Sequence, residues 1–120
     1  MPHITLEYTA NLSSLDVGQA LRRLNLQLME SAHFDARDIK SRAIPLDSFL
    51  VGDCNSMTGF IHVTLRLLEG RTPQVRRMLA QSLLDALQPV VSSNVTHAIQ
   101  LTVEVCEIER DSYAKLSSNA

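Results

Sequence analysis

The chain begins with an alternation of apolar and polar residues that is typical of a strand with one buried face. The apolar positions of this strand are Ile4, Leu6 and Tyr8. A helix is predicted next, because apolar residues then recur at helical spacing. They are Ala20, Leu21, Leu24 and Leu28. Residues 11–14 offer capping side chains, and Ser13 with Asp16 resembles a weak capping box. We expect this helix to end within residues 32–35.

A second strand is predicted from Ile39 to Leu50, with Pro45 inside it. Proline cannot donate a hydrogen bond to a neighbouring strand, so Pro45 favours a sheet edge or a bulge. The polar segment from Gly52 to Ser56 then predicts a turn between two halves of the chain.

The second half begins with the strongest predicted strand, from Phe60 to Leu68. A turn through Gly70 follows, and Thr72 is expected to cap a helix that has Pro73 at its first position, where the missing N–H costs nothing. The apolar stripe of this helix comprises Val75, Met78, Leu79, Leu83, Ala86, Leu87 and Val90. Pro89 is expected to end or kink the helix.

A last strand is predicted from Ala98 to Ile108, followed by a polar tail. Its inward residues are expected to be Leu101, Val103 and Val105. The two halves also match in sequence, because His3 to Leu6 recurs as His62 to Leu65, 59 positions later. Two pairs of helix leucines share this offset, Leu24 with Leu83 and Leu28 with Leu87. We predict one domain over residues 1–120, with pseudo-repeats at about 2–55 and 59–108.

Two strand–helix–strand units require parallel pairing within each unit and right-handed crossovers. The predicted fold class is α/β in the α+β two-layer sense: a four-stranded mixed sheet with two antiparallel helices on one face. Phe60 and Leu68 add apolar residues to the uncovered face, so we expect a partner subunit to cover it. The alternative is that these residues contact the C-terminal tail.

Composition narrows the possible functions. The chain has 45% hydrophobic residues and a formal charge of −2, and its basic residues form short pairs rather than a tract, so no nucleic-acid surface is indicated. Cys54 and Cys106 lie far apart and neither has histidine neighbours at ligand spacing, which indicates neither a metal site nor a redox motif. No run reaches the length of a membrane span and no secretory signal is present, so we expect a cytoplasmic protein.

Pro2 is the first candidate for chemistry, because it directly follows the initiator methionine. Removal of Met1 would leave a free secondary amine at the head of a strand, whereas an internal proline nitrogen is an amide with no proton to give and no useful lone pair. The alternative is a proline with no catalytic role. The chemistry depends on the loss of Met1.

Three segments together resemble the 5-carboxymethyl-2-hydroxymuconate isomerase family of the tautomerase superfamily. They are Met1-Pro2-His3 before an alternating strand, Ile39-Lys40-Ser41-Arg42 after the first helix, and the Leu68-Glu69-Gly70-Arg71-Thr72 turn. The resemblance spans nearly the whole chain. It implies a homotrimer with active sites near subunit interfaces, and an isomerase of aromatic-acid catabolism that needs no cofactor. The implied substrate is a small unsaturated 2-hydroxy or 2-oxo di- or tricarboxylate.

The resemblance also implies roles for individual residues. Pro2 is the proton-transferring base, and Arg71 holds a substrate carboxylate, although from the sequence alone Arg71 is equally a solvent-exposed turn residue. The family pattern Arg-Ser-Arg is Lys40-Ser41-Arg42 here. The first position therefore keeps its positive charge but loses the planar guanidinium that can bind a carboxylate with two hydrogen bonds. Arg42 lies on the same side of the strand and is an alternative carboxylate binder, and Lys40 is alternatively a surface residue.

The expected chemistry follows from the environment of the amine. Apolar neighbours disfavour its cationic form, and a nearby arginine lowers its pKa further and stabilises the dienolate charge. His3 and His62 are interpreted as structural or exposed residues rather than as acid–base groups. The alternative function is a non-catalytic oligomeric module of the same fold that binds a small acid or serves as a scaffold.

Overall fold

The computed structural model describes residues 1–53, 58–94 and 98–118. Its strands and helices are β1 (His3–Thr9), α1 (Val17–Glu30), β2 (Lys40–Leu46), β3 (Thr58–Leu68), α2 (Pro73–Asn94) and β4 (Ala98–Ile108). Short 3-10 turns occur at Ala36–Asp38 and Arg110–Ser112. Within these described ranges, no helix is long and apolar enough to cross a membrane.

The four strands form one mixed sheet in the order β2-β1-β3-β4. β1 pairs with β2 in parallel and β3 pairs with β4 in parallel, whereas the central pair β1–β3 is antiparallel. Each half of the chain therefore contributes a strand, a helix and a parallel strand. The predicted two-layer fold class is confirmed.

The core lies between the sheet and the two helices. In the central pair, Ile4 lies opposite Leu65 and Leu6 lies opposite Val63, and all four side chains are fully buried. The helix leucines that share the 59-residue offset complete this layer and are also fully buried: Leu24, Leu28, Leu83 and Leu87. The sequence repeat thus corresponds to equivalent positions in one shared core.

The start of α1 differs from the prediction. Asp16 is the N-cap, and its Oδ1 accepts a hydrogen bond from the backbone N–H of Gln19 at 3.1 Å, so the proposed capping box begun by Ser13 is wrong. The preceding residues form successive turns that bury Leu12 and Leu15, and this burial delays the helix to Val17.

The predicted start of α2 is confirmed, because Thr72 Oγ1 accepts from the N–H of Val75 at 3.2 Å and Pro73 is the first helical residue. Pro89 was expected to end or kink the helix, and the first alternative is wrong, since the helix continues to Asn94. Val90 and Val91 follow the proline and are buried, and their burial offsets the missing backbone bond.

Met78 was predicted to belong to the apolar stripe of α2, but it is 66% exposed. Leu79 beside it is buried and takes the core position. Adjacent residues on a helix point in directions about 100° apart, so the burial of Leu79 does not bring Met78 into the core.

β2 is an edge strand, as Pro45 predicted, but it is shorter than expected. In the described sheet its partner is β1, which ends at Thr9 opposite Leu46, so the pairing of β2 stops there. The predicted turn at Gly52–Ser56 is described only at Gly52 and Asp53, where Gly52 has a φ of 57°. Residues 54–57, including Cys54, lie outside the described ranges.

The face of the sheet away from the helices is more polar than predicted. Phe60 and Leu68 are on this face, but His62, Thr64 and Arg66 separate them along β3. The facing β4 residues are equally polar, and the His62 ring contacts two of them, Thr102 Oγ1 at 2.7 Å and Glu104 Oε1 at 2.8 Å. The two apolar residues Phe60 and Leu68 are therefore separated by polar residues on the described part of this face.

Candidate active site

A cavity of about 400 Å³ opens at the end of the sheet where β1 begins and β3 ends. Because these strands are antiparallel neighbours, the N-terminus of the chain and the turn after β3 meet at the same edge. The cavity is lined by Met1, His33, Phe34, Asp35, Asp38, Leu67, Leu68, Arg71, Tyr113 and Lys115. Segments far apart in sequence thus converge on one cavity.

The N-terminal amine belongs to this cavity. The nitrogen of Met1 donates to the carbonyl oxygen of Asp38 at 3.5 Å. Burial, followed by the hydrogen bond and the positive charge of Lys40, lowers the pKa of this amine to about 6. Pro2 is buried, and its carbonyl oxygen accepts from the N–H of Lys40 at 3.1 Å. The Met1 amine is therefore largely unprotonated at neutral pH.

Arg71 reaches the same cavity from the turn that precedes α2. The positive φ of Gly70, 122°, gives this turn a conformation that side chains rarely adopt. Arg71 Nη2 donates to the carbonyl of His33 at 3.2 Å, and its guanidinium carbon lies 4.7 Å from the centroid of the Phe34 ring. The cation–π contact with Phe34 and the hydrogen bond to His33 hold the guanidinium and leave other N–H groups for an anion.

Lys40 lies next to this cavity rather than in its wall. It lines an adjoining cavity of about 410 Å³, and Asp38 and Lys115 border both. Lys40 Nζ donates to the carbonyl of Asp38 at 2.6 Å, the same oxygen that accepts from the Met1 amine. The lysine therefore acts on the amine through its charge and through this shared acceptor.

Arg42 lines neither cavity. The strand register places it on the same side of β2 as Lys40, as predicted, but its Nη2 lies 2.9 Å from His3 Nδ1. The other ring nitrogen of His3 lies 3.0 Å from the hydroxyl oxygen of Tyr113, which lines the first cavity. Arg42 is thus connected to the cavity through His3 and Tyr113.

Sequence reasoning missed the contribution of two segments. The polar tail returns to the cavity, where Lys115 Nζ pairs with Asp38 Oδ1 at 2.9 Å and holds the pKa of that carboxyl below its usual value. The loop after α1 supplies His33 and Phe34. One signal was available, because Tyr113 is the one aromatic residue among residues 109–120.

Two β-α-β units share one sheet in this chain, and solved structures described as fused 4-OT have the same fold. A family model described as 5-carboxymethyl-2-hydroxymuconate isomerase matches residues 2–119. The chain therefore belongs to the 5-carboxymethyl-2-hydroxymuconate isomerase family, and its activity is that of an isomerase.

Solved structures support this assignment. A 5-carboxymethyl-2-hydroxymuconate isomerase from Deinococcus radiodurans R1 is 26% identical, with a TM-score of 0.89 over 98% of this chain and 90% of that chain. A 5-carboxymethyl-2-hydroxymuconate delta-isomerase is 20% identical, with a TM-score of 0.84 over 99% and 89%. A structure described as a fused 4-OT symmetric trimer shares the fold at 13% identity, with a TM-score of 0.74 over 94% and 90%. A search of curated protein sequences gave no match.

Proposed function

We propose that this isomerase transfers a proton within a small unsaturated 2-hydroxy or 2-oxo di- or tricarboxylate, such as 5-carboxymethyl-2-hydroxymuconate. The base is the nitrogen of Pro2 after removal of Met1. The observation that carries the proposal is a cavity that joins an N-terminal amine of lowered pKa to the Arg71 guanidinium. This pairing provides a base and an anion-binding group in one place.

The environment of the amine supports Pro2 as the base. A general base must be unprotonated at the working pH and able to return the proton to another atom of the substrate. The terminal amine at this corner already has a pKa of about 6 because of burial and the charge of Lys40. Pro2 itself is buried, so we expect desolvation to lower the pKa of its nitrogen as well once it becomes terminal.

Charges around the cavity support an acidic substrate. Arg71, stacked on Phe34, is suited to hold a carboxylate with two parallel hydrogen bonds. Lys40 contributes a point charge from the adjoining cavity, which suits a second carboxylate of a longer substrate. Arg42 supports the site through His3.

The proton path needs no external reactant. Pro2 nitrogen takes the proton of the substrate hydroxyl, and the oxygen electrons form the carbonyl while the conjugated double bonds shift. The same nitrogen then returns the proton to a carbon at the other end of the conjugated system. Arg71 lowers the energy of the dienolate between these steps, because the negative charge extends towards the carboxylate that it holds.

We also propose that the chain acts as a homotrimer in the catabolism of aromatic compounds. The fold is shared with a fused 4-OT structure described as a symmetric trimer. The open sheet face supports association through polar contacts, because it carries both Arg66 and Glu104 and its His62 is only partly exposed.

Intact mass and turnover measured on the same preparation test the proposed function. We expect the purified protein to lack Met1 and to ketonise 5-carboxymethyl-2-hydroxymuconate, because only the processed chain has a free proline nitrogen. A preparation engineered to retain Met1 serves as the control and is expected to be inactive. Full turnover by the Met1-retaining form would contradict the role of Pro2, and no turnover by the processed form would contradict the activity.

Lys40→Met is expected to move the acidic limb of the kcat/KM profile to higher pH. Lys40 lowers the pKa of the Met1 amine through a hydrogen bond and through its charge. We expect its charge to act in the same direction on the Pro2 amine of the processed chain, so that loss of the charge raises the pKa of the base. The base is active when unprotonated, so a raised pKa means that more alkaline solution is needed for the same rate. Lys40→Arg, which keeps the charge, is the control and should retain most of the lowering. An unchanged acidic limb in Lys40→Met would contradict this coupling.

A further inference from the structure

Tyr113 occupies an exceptional position in the C-terminal tail. Between Glu109 and Ser118 it is the one residue that is not exposed. The tail is anchored before it, where the Arg110 N–H donates to Glu69 Oε2 at 2.6 Å, and after it, where Lys115 pairs with Asp38 at 2.9 Å. These contacts hold the Tyr113 ring in the wall of the cavity that Met1 and Arg71 also line.

The hydrogen bonds around His3 determine which way the Tyr113 hydroxyl points. An arginine can only donate, so His3 Nδ1, 2.9 Å from Arg42 Nη2, is the acceptor. The hydrogen of a neutral His3 therefore lies on Nε2, which donates to Tyr113 Oη at 3.0 Å. The phenolic hydrogen of Tyr113 is then available to an acceptor other than His3.

The neutral state of His3 is supported by its surroundings. Burial, followed by the charge of Arg42, lowers the pKa of the ring. The His3 and Tyr113 rings also meet edge to face, with centroids 6.2 Å apart and an interplanar angle of 70°. Two contacts with His3 thus fix the orientation of the Tyr113 ring and hydroxyl.

A neutral hydroxyl donor suits a different substrate oxygen from those bound by cations. The carboxylates of an acidic substrate have Arg71, Lys40 and Lys115 around the two cavities as partners. A carbonyl or enol oxygen carries little charge in the ground state and becomes negative in the dienolate. A preorganised donor at that oxygen stabilises the transition state more than the bound substrate.

We propose that Tyr113 is a further catalytic residue that donates its phenolic hydrogen to the substrate oxygen that becomes negatively charged, with His3 and Arg42 as positioning residues. This inference rests on the proposed isomerase function. It gives the C-terminal tail a catalytic residue. It also gives Arg42, which lines neither cavity, an indirect role through its contact with His3. His3 is a structural residue in this scheme, as the sequence suggested, but it orients the donor.

Tyr113→Phe tests the proposal, because it removes only the hydroxyl group. With 5-carboxymethyl-2-hydroxymuconate as substrate, we expect kcat to fall about 10- to 100-fold and KM to stay within about twofold. Tyr8→Phe is the matched control, since Tyr8 is the only other tyrosine in the chain and lies in β1 outside the cavity. We expect wild-type constants for this control.

A double-mutant cycle tests the positioning role of His3. His3→Ala should lower kcat in the same direction as Tyr113→Phe, and His3→Gln, whose amide can still donate to Tyr113, should recover part of the loss. In the Tyr113→Phe background, His3→Ala should have little further effect. Additive losses would overturn the positioning role.

The outcomes for the inference and for the proposed function are separate. An inactive processed wild type would reject the proposed function itself. If the wild type is active and kcat is unchanged in Tyr113→Phe, the inference is overturned. A rise in KM alone would also overturn it, because the hydroxyl would then contribute to substrate binding and not to the transition state. Circular dichroism and thermal unfolding of each variant identify a loss of activity caused by misfolding. If Tyr113→Phe misfolds, the kcat of His3→Gln is compared with that of His3→Ala, and equal values would overturn the inference.

Discussion

Pro2→Ala is expected to lower kcat by about 10²- to 10⁴-fold, the range that a positioned acid–base group contributes. Alanine still permits removal of Met1 and still leaves an α-amine, but a primary amine on a freely rotating residue lacks the fixed direction of the proline ring. The measurement is the rate of ketonisation at substrate saturation, with the intact mass recorded for each preparation.

The fold is expected to survive this change. The carbonyl of residue 2 accepts from the N–H of Lys40, and alanine keeps that carbonyl. Unfolding temperature and oligomeric mass are therefore the controls, and both should match the wild type. A kcat within twofold of wild type at equal processing would show that the proton is carried by another group.

Much of the fold was predictable because the sequence repeats its core. The alternation in β1 and β3 and the leucines that recur at the 59-residue offset correspond to buried positions on one face of the sheet. Such positions are read directly from periodicity, since burial on one face imposes the spacing.

The errors at the helix ends have a common cause. α1 starts at Val17 because Leu12 and Leu15 are buried in turns, and α2 continues past Pro89 because Val90 and Val91 are buried beyond it. Tertiary packing overrides a local signal in both places. Helical spacing alone also cannot say which of Met78 and Leu79 faces the sheet.

The candidate site was predicted only in part. The sequence indicated Pro2 and Arg71, and the structure brings the N-terminus and Arg71 to one cavity. The contributions of Tyr113 and Lys115 depend on the path of the tail, which is held by Glu69 and Asp38. No local pattern specifies such long-range contacts, because they depend on where the tail crosses the sheet end.

Arg71→Ala is expected to lower kcat/KM by about 10²- to 10³-fold, through a higher KM and a lower kcat together. Both constants change because the guanidinium contacts the carboxylate in the bound substrate and in the dienolate. Steady-state kinetics with 5-carboxymethyl-2-hydroxymuconate measure the two effects separately.

Two further variants separate charge from geometry. Arg71→Lys keeps the charge but loses the fork and the planar stacking on Phe34, so we expect it to recover only a small part of kcat/KM. Arg77→Ala, at an exposed arginine of α2 outside the cavity, is the matched control and should behave as wild type. If Arg71→Ala left both constants unchanged, the guanidinium stacked on Phe34 would serve only to hold the loop at His33, and a lower unfolding temperature would be its sole effect.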